Sequence, residues 1–239
     1  MIDDGVPGLD ANTRLFLSCD ETPGSVPVDH STDGADSPHT ATAIGGAVTA
    51  AARGTSPPFT NALDLNVETR WLEFADSDDF QFGAEHTIEM WGYLERDFDG
   101  ANQYFWCIHA DSEPPATRQS YGSGFWVDGE PQGSMRIGST YEYNVRNAPG
   151  SEFPFEDWTH VAYQRRVVAT VPRLEMFLDG TLVATLNNAT GTFPNPLSVP
   201  LIIGSSGITG QTFVGQIARV VMYDGALYSG NFTPSTVLP

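Results

Sequence analysis

Between Asp157 and Leu186 the chain reads DWTHVAYQRRVVATVPRLEMFLDGTLVATL, with Asp179-Gly180 set between two alternating runs. Asp-Gly is a strong signal for a two-residue hairpin turn, which needs positive φ at its centre. Before it, Leu174, Met176 and Leu178 alternate with Glu175 and Phe177. After it, Leu182, Ala184 and Leu186 alternate with Thr181, Val183 and Thr185. A period of two marks strands with one face toward a core. Upstream, Trp158, Val161 and Tyr163 predict a third strand, with Arg165-Arg166 and Pro172 bounding a loop. The result is an antiparallel meander, and the remaining segments must stack beside it or across from it.

Further strands are expected at 13–19, 39–44, 47–51, 62–65, 71–74, 85–94, 103–110, 124–127, 135–137, 141–145, 201–203 and 213–223. In HTIEMWGYL, Ile88, Met90, Gly92 and Leu94 alternate with Thr87, Glu89, Trp91 and Tyr93. Both sets contain apolar residues, so this strand should be central, with its second face partly covered. Residues 20–38 and 111–123 read as polar loops, and 76–80 as an acidic turn. No stretch of helical periodicity is sustained. About a dozen short, evenly spaced strands predict an all-β antiparallel β-sandwich. Residues 1–12 read as an exposed arm, 13–228 as the sandwich and 229–239 as a tail in coil.

The chain carries 30 acidic residues and 11 basic ones, all arginine, for a net charge of −19. That balance opposes binding to nucleic-acid phosphates and to anionic membranes. It favours solubility, most of all where salt screens self-repulsion. The N-terminal MIDDGVPGLDANT has no apolar core of a secretory signal, so synthesis in the cytoplasm is expected. Cys19 and Cys107 are read as buried thiols, a disulfide requiring their strands to be neighbours.

Four segments resemble a known family: LFLSCD at 15–20; ALDLNVETRWLEFADSDDFQFGAEHTIEMWGYL at 62–94; DWTHVAYQ followed by LEMFLDGTLVA; and LIIGSSG followed by FVGQIARVVMYDGAL. In order and spacing they are similar to the laminin-G-like branch of the concanavalin A-like lectin/glucanase superfamily, over residues 13 to 228. The resemblance implies a jelly-roll sandwich. It looks most like the stand-alone versions in tailed-phage virion proteins, either head decoration or tail and fibre components. That implies a location on the virion, made in the host cytoplasm, with other virion proteins and cell-surface glycans as partners and homo-oligomerisation left open.

A retaining glycosidase of this superfamily needs two carboxylates ~5–5.5 Å apart. The chain's nearest imitation of the corresponding strand, Glu95-Arg96-Asp97-Phe98-Asp99, ends in Asp and runs into a glycine turn, so no enzyme is expected. His30, His39, His86, His109 and His160 show no metal-ligand spacing. Sugar-binding sandwiches use exposed aromatic rings as stacking platforms. Trp126, Tyr121, Tyr141, Tyr143 and Tyr104 are the candidates. The resemblance also implies a Ca²⁺ site of loop oxygens, for which Asp20, Asp33, Asp36, Asp76 and Asp79 are candidates. Where relatives often carry Ile-Asp-Glu in the last strand, this chain has Ile217-Ala218-Arg219, so that acidic pair is absent. The alternative to inert display is a calcium-dependent carbohydrate-binding module.

Overall fold

The computed structural model describes residues 10–32, 34–54, 58–95, 102–109, 119–125, 129–137, 140–146, 152–187, 189, 199–207 and 211–236. In these residues the chain forms two antiparallel sheets. The strands are β1 (Thr13–Leu17), β2 (Ala41–Ile44), β3 (Val48–Ala51), β4 (Asn61–Asp64), β5 (Trp71–Phe74), β6 (His86–Leu94), β7 (Gln103–His109), β8 (Gln119–Phe125), β9 (Pro131–Ile137), β10 (Thr140–Arg146), β11 (Trp158–Val168), β12 (Val171–Leu178), β13 (Thr181–Asn187), β14 (Leu201–Ile203) and β15 (Gly215–Tyr223). The eight-stranded sheet runs β13-β12-β11-β6-β15-β4-β3, with β1 also on β15; the seven-stranded sheet runs β10-β9-β8-β7-β14-β5-β2. The sandwich expected from the periodicity is the fold.

The meander forms as read. Asp179 and Gly180 have φ of 46° and 71°, the paired left-handed conformation of a tight hairpin. The loop expected around Arg165-Arg166 and Pro172 does not form. β11 runs on through both arginines, and the reversal falls on Ala169 and Thr170, at φ 48° and 71°. Neither residue is a turn former, so the sequence carries no signal there, and their positive φ is strained. Replacing the pair by Asn-Gly is expected to raise stability by about 1–2 kcal/mol in urea unfolding.

The core lies between the sheets. Ile88, Met90 and Leu94 of β6 enter it with Leu72 and Phe74 of β5, Leu201 and Ile203 of β14, and Leu174 and Met176 of β12. At one end Phe105 packs against Phe125, Phe153 and Phe213, with ring centroids 4.6, 5.6 and 5.1 Å away. At the other, His86 stacks on Phe82 and bonds the Tyr121 hydroxyl through Nε2. Burial pushes the His86 pKa down to about 3, so the ring stays neutral in the core.

The other parity of β6 is also covered. Trp91 and Tyr93 join Phe59 and Trp158 in a second apolar cluster on the outer side of the eight-stranded sheet. Beside it, residues 224–236 lie across the same outer side. Leu227 N–H bonds Thr87 Oγ1, Tyr228 N–H bonds Gln164 Oε1, and Phe232 N–H bonds the Gly180 carbonyl. The stretch read as tail from 229 onward is therefore docked as far as the described residues extend.

The strands expected at 39–44 and 47–51 form as β2 and β3, in different sheets, so Gly45-Gly46 carries the chain from one layer to the other. One further reading changes. The polar loop expected at 111–123 gives way to strand β8 from Gln119. Its residues, QSYGSGF, have low strand propensity, and the pairing on both sides by β7 and β9 overrides it.

Candidate functional site

Strand register arranges the outer side of the seven-stranded sheet in rows. Tyr121, Ile108, Leu201 and Phe74 form one row and belong to the core, so the alternate row faces away from it. That alternate row crosses the sheet as Ser134, Gly122, Cys107, Ile202, Glu73 and Thr42. A flanking row holds Gln132, Gly124 and Tyr104.

The middle of this face carries no side chain on β8, for a steric reason, and is itself buried. A Cβ on Gly124 would sit 2.0 Å from the Gln103 carbonyl oxygen, and one on Gly122 would sit 2.8 Å from that of Trp106. On one side stand Gln132 and Ser134, both buried. On the other stand Trp71 and Glu73, half-buried, with the indole Nε1–H donating to Glu73 Oε1 at 2.9 Å. The Gln132 amide oxygen is buried and accepts no hydrogen bond from any described residue. An unpaired amide oxygen accepts a ligand hydroxyl only once the groups that bury it move aside. The described side chains of this face include one carboxylate, Glu73, already engaged by Trp71.

The aromatic candidates fare unequally. Tyr104 is half-buried at the edge of the bare strip. Tyr121 is 3% exposed, its ring against Trp106 and Tyr163, so it offers no surface for stacking. The reason is parity: β8 begins earlier than expected and turns Tyr121 inward. Tyr141 and Tyr143 lie on β10, where a register shift between them sets Tyr141 opposite Arg136 and Tyr143 opposite Met135. Their alternation in sequence therefore does not place them in equivalent rows. Trp126 lies outside the described residues. Gln132, Ser134, Gly122 and Gly124 were missed; the only signal was an unusual density of Gly and Ser in 119–134.

The calcium candidates do not converge on a cation. Asp33 lies outside the described residues, and Asp20 and Asp76 are exposed and separate. Asp36 Oδ2 accepts from Ser77 Oγ at 2.7 Å. Asp79 is buried, and donors surround it: Ala35 N–H at 2.8 Å, Asp36 N–H at 3.0 Å and His39 Nε2 at 3.2 Å, with Arg14 at 3.9 Å. A carboxylate facing those donors is a poor ligand for a cation. Among the described residues no three His, Cys, Asp or Glu side chains gather as a metal site.

What the sequence did not disclose is the knot these groups form. His39 Nδ1 meets Asp29 Oδ2 at 2.8 Å while Nε2 meets Asp79. Asp29 also accepts from the Phe16, Ser31 and His39 backbone N–H groups and from Ser31 Oγ, at 2.8–3.0 Å. Burial pushes the Asp29 carboxyl up, but these hydrogen bonds outweigh it and hold it below the ordinary aspartate value. The knot ties the long acidic loop after β1 to the sandwich.

Two antiparallel sheets with a packed interior between them define a jelly-roll sandwich. Residues 66–230 match the laminin G-type model of the concanavalin A-like lectin/glucanases superfamily, and the chain belongs to that family. No curated protein matches the chain. Among solved structures, it is similar to domain 4 of AbnA, a GH43 extracellular arabinanase from Geobacillus stearothermophilus, in complex with arabinotriose. The TM-score is 0.64 at 16% identity, over 91% of this chain and 94% of that one. It is also similar to the CBM40 of the Ruminococcus gnavus IT-sialidase bound to α2,3 sialyllactose, with TM-score 0.51, 17% identity, 62% of this chain and 80% of that one. The binding domain of botulinum neurotoxin serotype D gives TM-score 0.59 at 10% identity over 91% of this chain, which spans 49% of that one. At these identities the likeness is one of fold.

Proposed function

We propose that the protein is a non-enzymatic carbohydrate-binding sandwich that holds glycan on the outer face of its seven-stranded sheet, and that it is displayed on a phage virion. The observation that carries the glycan reading is the unpaired Gln132 amide oxygen beside the Gly122–Gly124 floor. A sugar offers hydroxyl donors to such an acceptor and a flat ring to such a floor. Two neighbours in fold, solved with arabinotriose and with sialyllactose, support the same class of ligand. The single described carboxylate of this face supports binding without hydrolysis, since glycosidase chemistry takes two.

The test is a glycan array of neutral and acidic oligosaccharides. The wild-type protein is expected to bind, and the Gln132→Ala/Ser134→Ala pair to bind at least about tenfold more weakly, the loss of two hydrogen bonds. Chelation is expected to leave binding unchanged, and incubation to release no reducing ends. A blank array for the wild type would remove the glycan reading. The virion reading draws on the resemblance of the motifs and on the acidic, lysine-free composition, which suits a crowded exterior protein. Antibody labelling of purified particles tests it, and particles lacking the chain would end it.

A further inference from the structure

The outer side of the eight-stranded sheet carries polar groups that a solvated face would expose and that residues 224–236 cover. Trp91, His160 and Ala218 share one cross-strand row, and Glu89, Ala162 and Phe177 another. The rings of Phe59, Trp91, His160 and Phe232 follow one another at centroid spacings of 5.7, 5.3 and 5.6 Å. Phe59 precedes β4; Phe232 belongs to the covering strap and stacks in parallel on Tyr228 at 3.5 Å.

Within this cluster Trp91 Nε1 and His160 Nδ1 are buried without a hydrogen-bond partner. Leaving such groups unpaired disfavours the covered state, because each gave up water and gained nothing. The two charged groups beside them are met by the strap, Glu89 Oε2 also lying 3.5 Å from His160 Nε2. Tyr228 donates its hydroxyl to Glu89 Oε2, and Arg219 donates to the Ser235 carbonyl at 2.7 Å. A hydroxyl on a carboxylate and an oxygen on a guanidinium are contacts a polyhydroxylated ring also makes.

We propose that residues 224–236 are a lid over a second, concealed carbohydrate site built from Glu89, Trp91, His160 and Arg219, which opens for a ligand supplying the partners that Trp91 and His160 lack. This site is on the opposite sheet from the Gln132 face and does not depend on it. A ligand that must first displace a lid binds with its affinity reduced by the fraction of molecules that are open. Loosening the lid therefore strengthens binding.

Gly180→Ala loosens it from outside, since the new Cβ would lie 2.0 Å from the Phe232 carbonyl oxygen. Phe232→Ala loosens it from within. Both are made in the Gln132→Ala/Ser134→Ala background, which weakens the other face, and applied to the same array of neutral and acidic oligosaccharides. Each is expected to raise binding about fivefold to tenfold, and to speed amide exchange at Leu227, Tyr228 and Phe232. Adding Trp91→Phe, which keeps a ring but removes the N–H, is expected to return binding to the parent level. The proposal is overturned if neither lid variant binds more than its parent while exchange shows the lid loosened, or if Trp91→Phe leaves the gain intact. Should Phe232→Ala fail to fold, Gly180→Ala decides alone. Loss of binding at the Gln132 face with a lid-dependent gain here would separate the two sites.

Discussion

Asp29→Ala is expected to lower stability by about 3–5 kcal/mol, the loss seen when one partner of a buried charged cluster is removed. The substitution orphans three backbone N–H groups and His39 Nδ1 together, and removes one partner of the Ser31 hydroxyl. It also frees the acidic loop that these groups hold against β1. The pH dependence gives the same cluster a signature. Because the folded Asp29 carboxyl lies below its ordinary value, its contribution is present in full above the ordinary aspartate range. It is lost as pH falls through the folded value. Wild-type stability should therefore drop on acidification from about pH 6 to about pH 3 more steeply than that of the Asp29→Asn variant. Urea unfolding across that range measures both, and parallel profiles would show that the carboxyl is not held in its charged form.

Phe105→Ala is expected to cost about 3–5 kcal/mol, the usual loss for a buried phenylalanine. Phe105 is wholly buried, and three other phenylalanine rings surround it. It also fills the space left by Gly92 of the facing sheet, where a Cβ would lie 2.8 Å from the ring. The cavity therefore opens at the seam between the layers, where neither sheet can collapse without disturbing its strand register. Phe105→Leu keeps most of the volume and is expected to recover over half of the loss. A thermal scan of the three proteins distinguishes this from a general softening, which would affect Phe105→Leu as much as Phe105→Ala.

How far the architecture could be read in advance followed from where apolar periodicity was strong. The meander around Asp179-Gly180 and the doubly apolar β6 were legible because alternation and turn chemistry agreed. The reversal at Ala169-Thr170 was not, since neither residue announces a left-handed turn. β8 was not, because its glycines and serines are tolerated through pairing with β7 and β9 rather than preferred. The docking of residues 229–236 rests on Phe232, Asn231 and Tyr228 meeting β11 to β13, contacts too distant in sequence for any local pattern to show. The candidate site was harder still. Stacking platforms were sought among aromatics, yet Tyr121 supports the core, and the candidate face is defined by two positions lacking side chains. Absence of a side chain is a weak sequence signal and becomes meaningful only once the strands on either side are known.

Asp224 N–H bonds the Asn12 carbonyl, and Asp10 accepts from the Tyr223 hydroxyl, so the earliest described residues sit beside β15. The last ones reach Arg219 on that same strand. Both described ends of the chain are thus borne by the eight-stranded sheet, the layer opposite the Gln132 row.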